Sequence, residues 1–490
     1  MKKIVIVDFG LSRPRFLPMI ELFMAYRLRE LGAQPELITV FPDEIDVTLA
    51  KLASMSPTET IVLLWESKSA KSYRYIQHLF DFGASLREKW AGPIATGGYW
   101  AGVAPEHFPE LFVPFNTVIS GLNIERIADF LVHAEPDAIP EQVDASGGCD
   151  WDAYPLDMSF ISSPEKYEEN GLVAGYQTSF GCPNNCYFCY NNTLRKIGAE
   201  YVPRSIGRIK EDLDTLATIY GPSRIQLKDL NFCYDKERTL EIMGLFRERG
   251  LSIGTYMDIT VNDADEDIFR AASEFGYEGF FFGLESFDQE SLRRYNKQYS
   301  NEQLRAMLAM GDKYKLFLSG SILLGLPWQT KETLKHEVET AIQYMRQYRY
   351  LLVGFNSIRP IAGTELQKRY FADSLSGVSF EDYLKIIGFK VEELQAQLYG
   401  PAFNDFNLEK LHATALGVRA CKVVEVAHAP SYVLPFLRLG RVILERHMRG
   451  GCRNSYINNW LTENRSLTLQ RDMTDFCRRL RGLPVKRSGK

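Results

Sequence analysis

Three cysteines stand close together in the run Ser179-Phe180-Gly181-Cys182-Pro183-Asn184-Asn185-Cys186-Tyr187-Phe188-Cys189-Tyr190, directly after a strand-like segment. The spacing is C-x3-C-x2-C. Three thiolates can fill three corners of a 4Fe–4S cube and leave the fourth iron open, whereas clusters that only carry electrons usually take four. An open iron can bind a substrate or a second cofactor. Zinc is the competing chemistry, but its ligand pairs usually repeat as two knuckles, and no second knuckle is present. Three unrelated thiols are the remaining reading.

The elements that position this run are legible from periodicity. The chain of 490 residues is 45% hydrophobic and 24% charged, ordinary for a globular protein with two to four domains. A net charge of −5 gives no electrostatic case for binding nucleic acid. No apolar run reaches the length of a membrane span. The opening Met1-Lys2-Lys3-Ile4-Val5-Ile6-Val7 is too short in its apolar part for a secretory signal and reads as a strand. Cys149, Cys233, Cys421, Cys452 and Cys477 are too sparse for a disulfide scaffold and are most simply reduced thiols. The expectation is a soluble cytoplasmic enzyme.

Strands expected at 3–8, 35–40, 59–65, 92–98 and 117–121 alternate with helices, one of them carrying Ile20, Phe23, Met24, Leu28 and Leu31 at helical spacing. Such alternation predicts an α/β, doubly wound Rossmann-like domain over 1–135. Its ligand would sit beyond the C-terminal strand ends at the switch point, among residues 9–12, 65–67, 97–99 and Gly121. Residues 136–170, rich in Pro, Asp, Ser and Gly, read as a linker. Six further strand–helix units, with strands at 171–179, 224–229, 252–258, 279–283, 318–324 and 351–358, suit a partial (β/α)6 barrel over 171–379 with its active site at the C-terminal strand ends. Residues 380–490 read as a mainly helical substrate-selecting or cap region, with Tyr383, Phe389, Tyr399, Phe403, Phe406, His412, His428 and His447 as scattered aromatics and histidines. Its arginine-rich end (Arg478, Arg479, Arg481, Lys486, Arg487, Lys490) could steer an anionic substrate or a flavodoxin- or ferredoxin-type electron donor.

Further motifs close the barrel strands in order: Arg224-Ile225-Gln226-Leu227-Lys228-Asp229-Leu230, Gly283-Leu284-Glu285-Ser286 with Leu292 and Lys297, Gly320-Ser321-Ile322-Leu323-Leu324-Gly325-Leu326-Pro327, and Asn356 to Thr364. With the cysteine triplet, this series over 171–366 resembles the radical SAM superfamily, and within it the class that carries a cobalamin-binding domain before the barrel. The resemblance implies that Cys182, Cys186 and Cys189 hold a 4Fe–4S cluster whose open iron chelates S-adenosylmethionine. It implies that Phe188 lies beside the adenine, that Asp229 stands near the methionine amine or caps the next helix, and that Glu285, with Ser286, meets the ribose hydroxyls. The backbone around Ser321 and Leu326 would lie against the adenine. Leu230 departs from the second of two adjacent acids usual in this class, and Ala362 from a usual proline.

The front domain resembles that class through Gly97-Gly98, Pro105-Glu106, Val118, Gly121 and Glu125. Cobalamin would then contact Leu11, Ser12, Trp65, Ser67, Gly97, Gly98 and Gly121. The better-known D-x-H-x-x-G motif is absent after Asp8, since Gly10 and Arg13 occupy its His and Gly positions, so no histidine of that loop would ligate cobalt. The function implied is radical methylation of an unactivated carbon in a small molecule or peptide. Cyclisation or rearrangement with the same cofactors, and a non-catalytic iron–sulfur binding or sensor protein, are the alternatives.

Overall fold

The run Lys3-Ile4-Val5-Ile6-Val7-Asp8-Phe9 is apolar on both faces, as a strand covered from both sides must be. In the computed structural model it forms β1 (Lys3–Phe9), buried almost throughout. The structure describes residues 2–10, 16–66, 73–102, 104–135, 138–169, 171–195, 200–254, 257–375, 377–388, 408–426 and 434–449. They divide between two compact units. One comprises 1–232, 237–254 and 360–388, the other 233–236, 255–359 and 389–490.

In the first unit, β1 joins β2 (Gln34–Val40), β3 (Thr60–Glu66), β4 (Ile94–Gly98), β5 (Thr117–Gly121) and β6 (Gln142–Ala145) in a parallel sheet of order β2-β1-β3-β4-β5-β6. The order reverses between β1 and β3, which fixes the switch point at the ends of Phe9 and Glu66. The helix Met19–Glu30 buries Ile20, Phe23, Met24 and Leu28, as their spacing predicts.

The segment read as a linker is more structured than its composition suggests. It supplies β6, which pairs in parallel with β5, and its aromatics are core residues: Trp151 stacks on Phe180 at 4.0 Å and Tyr154 on Phe23 at 5.8 Å. Two apolar rings in a polar context carry no periodic signal, so pattern reading passed over them.

The strands of the six βα units are present and divide between two sheets, with the expected third strand broken in two and one piece in each sheet. In the first unit β7 (Glu168–Glu169), β8 (Leu172–Tyr176), β11 (Arg224–Leu227) and β12 (Ser252–Ile253) form a sheet of order β12-β11-β8-β7. A short antiparallel ribbon of β9 (Ser179–Phe180) and β10 (Val202–Pro203) flanks the cysteine run. In the second unit β13 (Met257–Ile259), β14 (Gly279–Glu285), β15 (Phe317–Leu324) and β16 (Leu351–Ser357) are paired in parallel, in that order. Its helices start with capping boxes at Ser300/Gln303 and Thr330/Thr333.

The C-terminal region is helical where described, at Phe380–Gly388, Leu408–Val426 and Leu434–Arg449. Phe380 and Tyr383 belong to the first unit, where they pack on Phe80, Trp100 and Phe108 of the front domain. Phe389, Tyr399, Phe403, Phe406, His428 and the arginine-rich end lie outside the described residues, and so does the side chain of His412. In the second unit the buried Lys422 donates to the carbonyls of Met345 and Tyr348, capping the helix Lys331–Gln347 at the end where a cation is favoured.

One buried ion pair ties the first unit together. Arg204 is fully buried, with Nη1 2.7 Å from Asp212 Oδ2, Nη2 donating to Tyr154 O at 2.9 Å, and its guanidinium 4.9 Å above the Phe23 ring. Asp212 also accepts from Leu156 N and Tyr176 Oη. Burial pushes the Asp212 carboxyl up, against the pull of Arg204. The pair therefore joins the front helix, the linker, β8 and the helix Ile206–Tyr220. Removing one member strands a buried charge, so Arg204→Met should cost about 3–5 kcal/mol in urea unfolding of the full chain, and R204M/D212L should recover most of that loss. A cost below about 1 kcal/mol for R204M would deny the pair this role.

Candidate active site

Cys182, Cys186 and Cys189 lie in the loop between β9 and the short helix Asn191–Arg195, all free and half-buried. The loop is a set of tight turns. Cys189 N–H donates to Cys186 O at 3.0 Å, and Asn192 Nδ2 donates to the same carbonyl at 2.6 Å. Arg195 Nη2 donates to Cys182 O and, at 3.0 Å, to Asn184 O. Burial pushes the Cys182 thiol up, while the Asn184 backbone N–H pulls it down. A cube spreads its thiolates over three corners, and the triplet offers three. Phe188 is half-buried within the same loop.

Asp229 roots this loop. Its buried carboxylate accepts from Thr178 N (2.9 Å), Thr178 Oγ1 (2.6 Å) and Ser179 Oγ (2.6 Å). Thr178 O in turn accepts from Arg204 N and Arg238 Nη2. Burial raises the Asp229 carboxyl and these hydrogen bonds oppose it. Asp229 thus neither caps the following helix nor offers an open carboxylate edge; it clamps the end of β11 to the residues that lead into the first cysteine.

The remaining residues assigned to S-adenosylmethionine lie in the second unit. Glu285 ends β14 at a bulge in the β14–β15 register, with φ at +59°. A left-handed conformation at a non-glycine residue costs about 1–2 kcal/mol and needs surrounding support. Lys297 supplies it, with Nζ 3.4 Å from Glu285 Oε1 and donating to Gly283 O. A methyl group at Gly283 would stand 2.3 Å from Glu285 Oε1 and 2.6 Å from Lys297 Nζ, so a larger residue there would push this ion pair aside. Ser286 is fully buried and donates to Glu337, which also takes Phe287 N–H, and burial raises the Glu337 carboxyl. Leu326 is fully buried, and its N–H and that of Gly325 both donate to Gln329 Oε1. Ser286 and Leu326 therefore build the turns beside the site with polar atoms already engaged. Ser321 accepts from Asn356 on the neighbouring strand. Two residues earlier on β15, Ser319 accepts from Arg419 Nη2 at 2.8 Å, and Arg419 Nη1 lies 3.3 Å from where a Gly354 side chain would begin.

In the front domain, Trp65 is fully buried with its ring over Gly97, where a methyl group would fall 2.2 Å from Cζ3. It packs into the sheet instead of lining the crevice wall, because a large ring beside a side-chain-free strand end buries more apolar surface there. Gly98 (φ +108°) and Gly121 (φ +126°) close β4 and β5 in the left-handed region. Leu11, Ser12 and Ser67 lie outside the described residues. The buried indole N–H of Trp100 finds no acceptor among the described residues. An orphan donor near bare strand ends fits a ligand rich in carbonyl oxygens, such as the amide-bearing corrin of cobalamin.

Sequence reasoning missed Thr178, Ser179, Arg204, Arg238, Gln329, Glu337 and Arg419. Each acts through a partner distant in the chain, and no local spacing marks it.

Residues 176–341 match the profile of the Radical SAM superfamily, so this segment is a radical SAM domain. An uncharacterized methyltransferase of Pyrococcus horikoshii is 28% identical over 225 residues, 46% of this chain and 48% of the relative. The chain thus spans about half the length of that curated relative. The fold is shared with TsrM of Kitasatospora setae, a radical S-adenosylmethionine methyltransferase solved with cobalamin and a 4Fe–4S cluster (TM-score 0.60, 14% identity, 92% of this chain and 99% of that one). It is shared as well with the cobalamin-dependent S-adenosylmethionine radical enzyme OxsB (TM-score 0.55, 13% identity, 98% and 80%). The α/β class, with a Rossmann-like front sheet and a barrel-type radical SAM region, follows directly from this likeness. No described helix is long and apolar enough to cross a membrane.

Asp229→Asn turns an acceptor into an amide that must aim a donor at Thr178 or Ser179. The expected cost is about 1–3 kcal/mol of stability, together with lower iron retention after anaerobic reconstitution and gel filtration. Iron retention and stability equal to wild type would remove Asp229 from the root of the loop.

Proposed function

We propose that this protein is a cobalamin-dependent radical SAM methyltransferase acting on an unactivated carbon of a small molecule or peptide. The observation that carries the reading is the three-cysteine loop, rooted through Thr178 and Ser179 on Asp229, inside a radical SAM domain. Cys182, Cys186 and Cys189 would hold the 4Fe–4S cluster, which when bound supplies one low-potential electron for cleaving S-adenosylmethionine to methionine and a 5′-deoxyadenosyl radical. Cobalamin in the front domain would supply a methyl carrier, beside Gly97, Gly98, Gly121 and the unpaired indole donor of Trp100.

The chain's own residues do the orienting. Glu285 is held in place by Lys297, with Nζ 3.4 Å from Oε1, which suits it to accept both ribose hydroxyls of S-adenosylmethionine through charge-assisted hydrogen bonds. The Asn356–Ser321 pair and the Gln329-braced turn at Gly325-Leu326-Pro327 keep the neighbouring backbone rigid where an adenine would lie. Phe188, half-buried in the cluster loop, would offer an apolar edge to the base, as the family resemblance implies. Asp229 keeps the loop from shifting.

Anaerobically reconstituted protein with S-adenosylmethionine and a strong reductant should yield 5′-deoxyadenosine and methionine, and Cys186→Ala should yield neither. Glu285→Gln should weaken S-adenosylmethionine binding by about 1.5–3 kcal/mol, measured by equilibrium dialysis. Corrinoid absorption should appear on reconstitution with cobalamin. Methyl-labelled S-adenosylmethionine, incubated with compounds suggested by the genomic neighbourhood, should pass label to the substrate. Label confined to the cleavage products and cofactors would move the reading to cyclisation or rearrangement; absence of 5′-deoxyadenosine would leave a non-catalytic iron–sulfur protein.

A further inference from the structure

The front domain meets the cysteine loop through the two residues that follow its bare strand end. Tyr99 and Trp100 come directly after Gly97 and Gly98, where β4 closes. Gly98 in the left-handed region, and the bond from Tyr99 N–H to Glu66 O at 3.0 Å, fix where the two rings leave the strand. The Tyr99 ring lies 5.9 Å from that of Tyr190, which is buried one residue after Cys189. Trp100, also buried, packs 5.9 Å from Tyr383, whose hydroxyl accepts from Ala362 N–H at 2.9 Å. Four residues on, Leu366 N–H donates at 2.9 Å to the carbonyl of Tyr187, between Cys186 and Phe188. The stretch from Ala362 to Leu366 has little slack: Thr364 caps the helix Glu365–Tyr370 and donates its hydroxyl to Ile361 O at 2.7 Å. Adjacent residues of the front domain thus hold the cysteine loop at two points, Tyr187 and Tyr190, on either side of Cys189. Ala362 stands where the resembling class usually has proline, and only a non-proline residue has an N–H to donate to Tyr383.

We propose that Tyr99 and Trp100 are positioning residues that couple the corrinoid seat to the cluster loop, so that filling either site tightens the other. The proposal rests on the reading that the triplet holds a cluster and the front domain a corrinoid. Closing three thiols on a cluster restricts a loop to one arrangement. That arrangement fixes the surfaces of Tyr187 and Tyr190 on which Leu366 and Tyr99 rest. The corrin would lie at the Gly97-Gly98 strand end and the Trp100 indole, so ordering passes between the sites through packed rings and hydrogen bonds. Such an influence acts equally in both directions, because linkage between binding equilibria is reciprocal. Rings that served only as core filler would cost stability when cut back, yet would leave the two affinities unlinked.

The test uses full-length protein with hydroxocobalamin as the probe. Equilibrium dialysis, read by corrinoid absorption, should show wild type binding hydroxocobalamin about fivefold more tightly with the cluster reconstituted than without iron. In Y190L/Y383F that ratio should fall to about one, while Tyr190→Phe, which keeps the ring contact, should hold it near the wild-type value. Ala362→Pro, which removes the N–H donated to Tyr383, should lower it part of the way. Bound hydroxocobalamin should slow the loss of iron–sulfur absorption to a strong chelator in wild type and have no effect on it in the double variant. Equal affinity with and without the cluster in wild type would overturn the proposal without recourse to any variant, and so would a full ratio in Y190L/Y383F. Failure of the underlying reading shows separately, as no iron–sulfur absorption after reconstitution or no corrinoid retained by wild type in either condition.

Discussion

The first unit depends on the buried polar junction at Thr178 and Ser179. Asp229 takes three hydrogen bonds from these two residues, and Arg204 and Arg238 both donate to the Thr178 carbonyl. Arg204 is committed in turn to Asp212, Tyr154 and the Phe23 ring. A charge buried as deeply as Arg204 is tolerable only when paired, and neither it nor Asp212 can move without stranding the other. The root of the cysteine loop is therefore fixed to β11, to the linker and to the front domain together. A flexible run holding three thiols needs such an anchor, because metal binding is weakened by every conformation in which the thiols stray.

The second unit uses strain where the first uses charge. Glu285 is held left-handed at a bulge, and a side chain at residue 283 would press on its carboxylate. Glu337 and Gln329, both buried, take the N–H groups of the turns that follow β14 and β15. Each turn keeps its backbone donors satisfied without borrowing from a ligand. The carboxylate of Glu285 is meanwhile paired with Lys297.

Much of this was legible in one dimension. β1, β3 and β4 are apolar runs bounded by turn residues, and the Cys182–Cys186–Cys189 spacing names its chemistry without a fold. Glu285 was found from its motif, although its backbone strain was not, since φ depends on a register shift between β14 and β15. The linker's β6 escaped notice because Gln142-Val143-Asp144-Ala145, although alternating, is only four residues long within a Pro-, Asp-, Ser- and Gly-rich stretch; its pairing with β5 makes it a strand. Trp65 read as a ligand contact because it ends a strand at the switch point, yet a bare glycine beside it offered a better-packed place in the sheet.

The sequence by itself determined the alternation of strands and helices and the three thiols on one turn, because periodicity, glycine placement and ligand spacing are local properties of the chain. Tertiary structure decided what Asp229, Ser286 and Leu326 do, and which cations reach the loop. Those outcomes follow from pairing between residues dozens of positions apart, where burial makes each polar group take the partner that folding brings within reach.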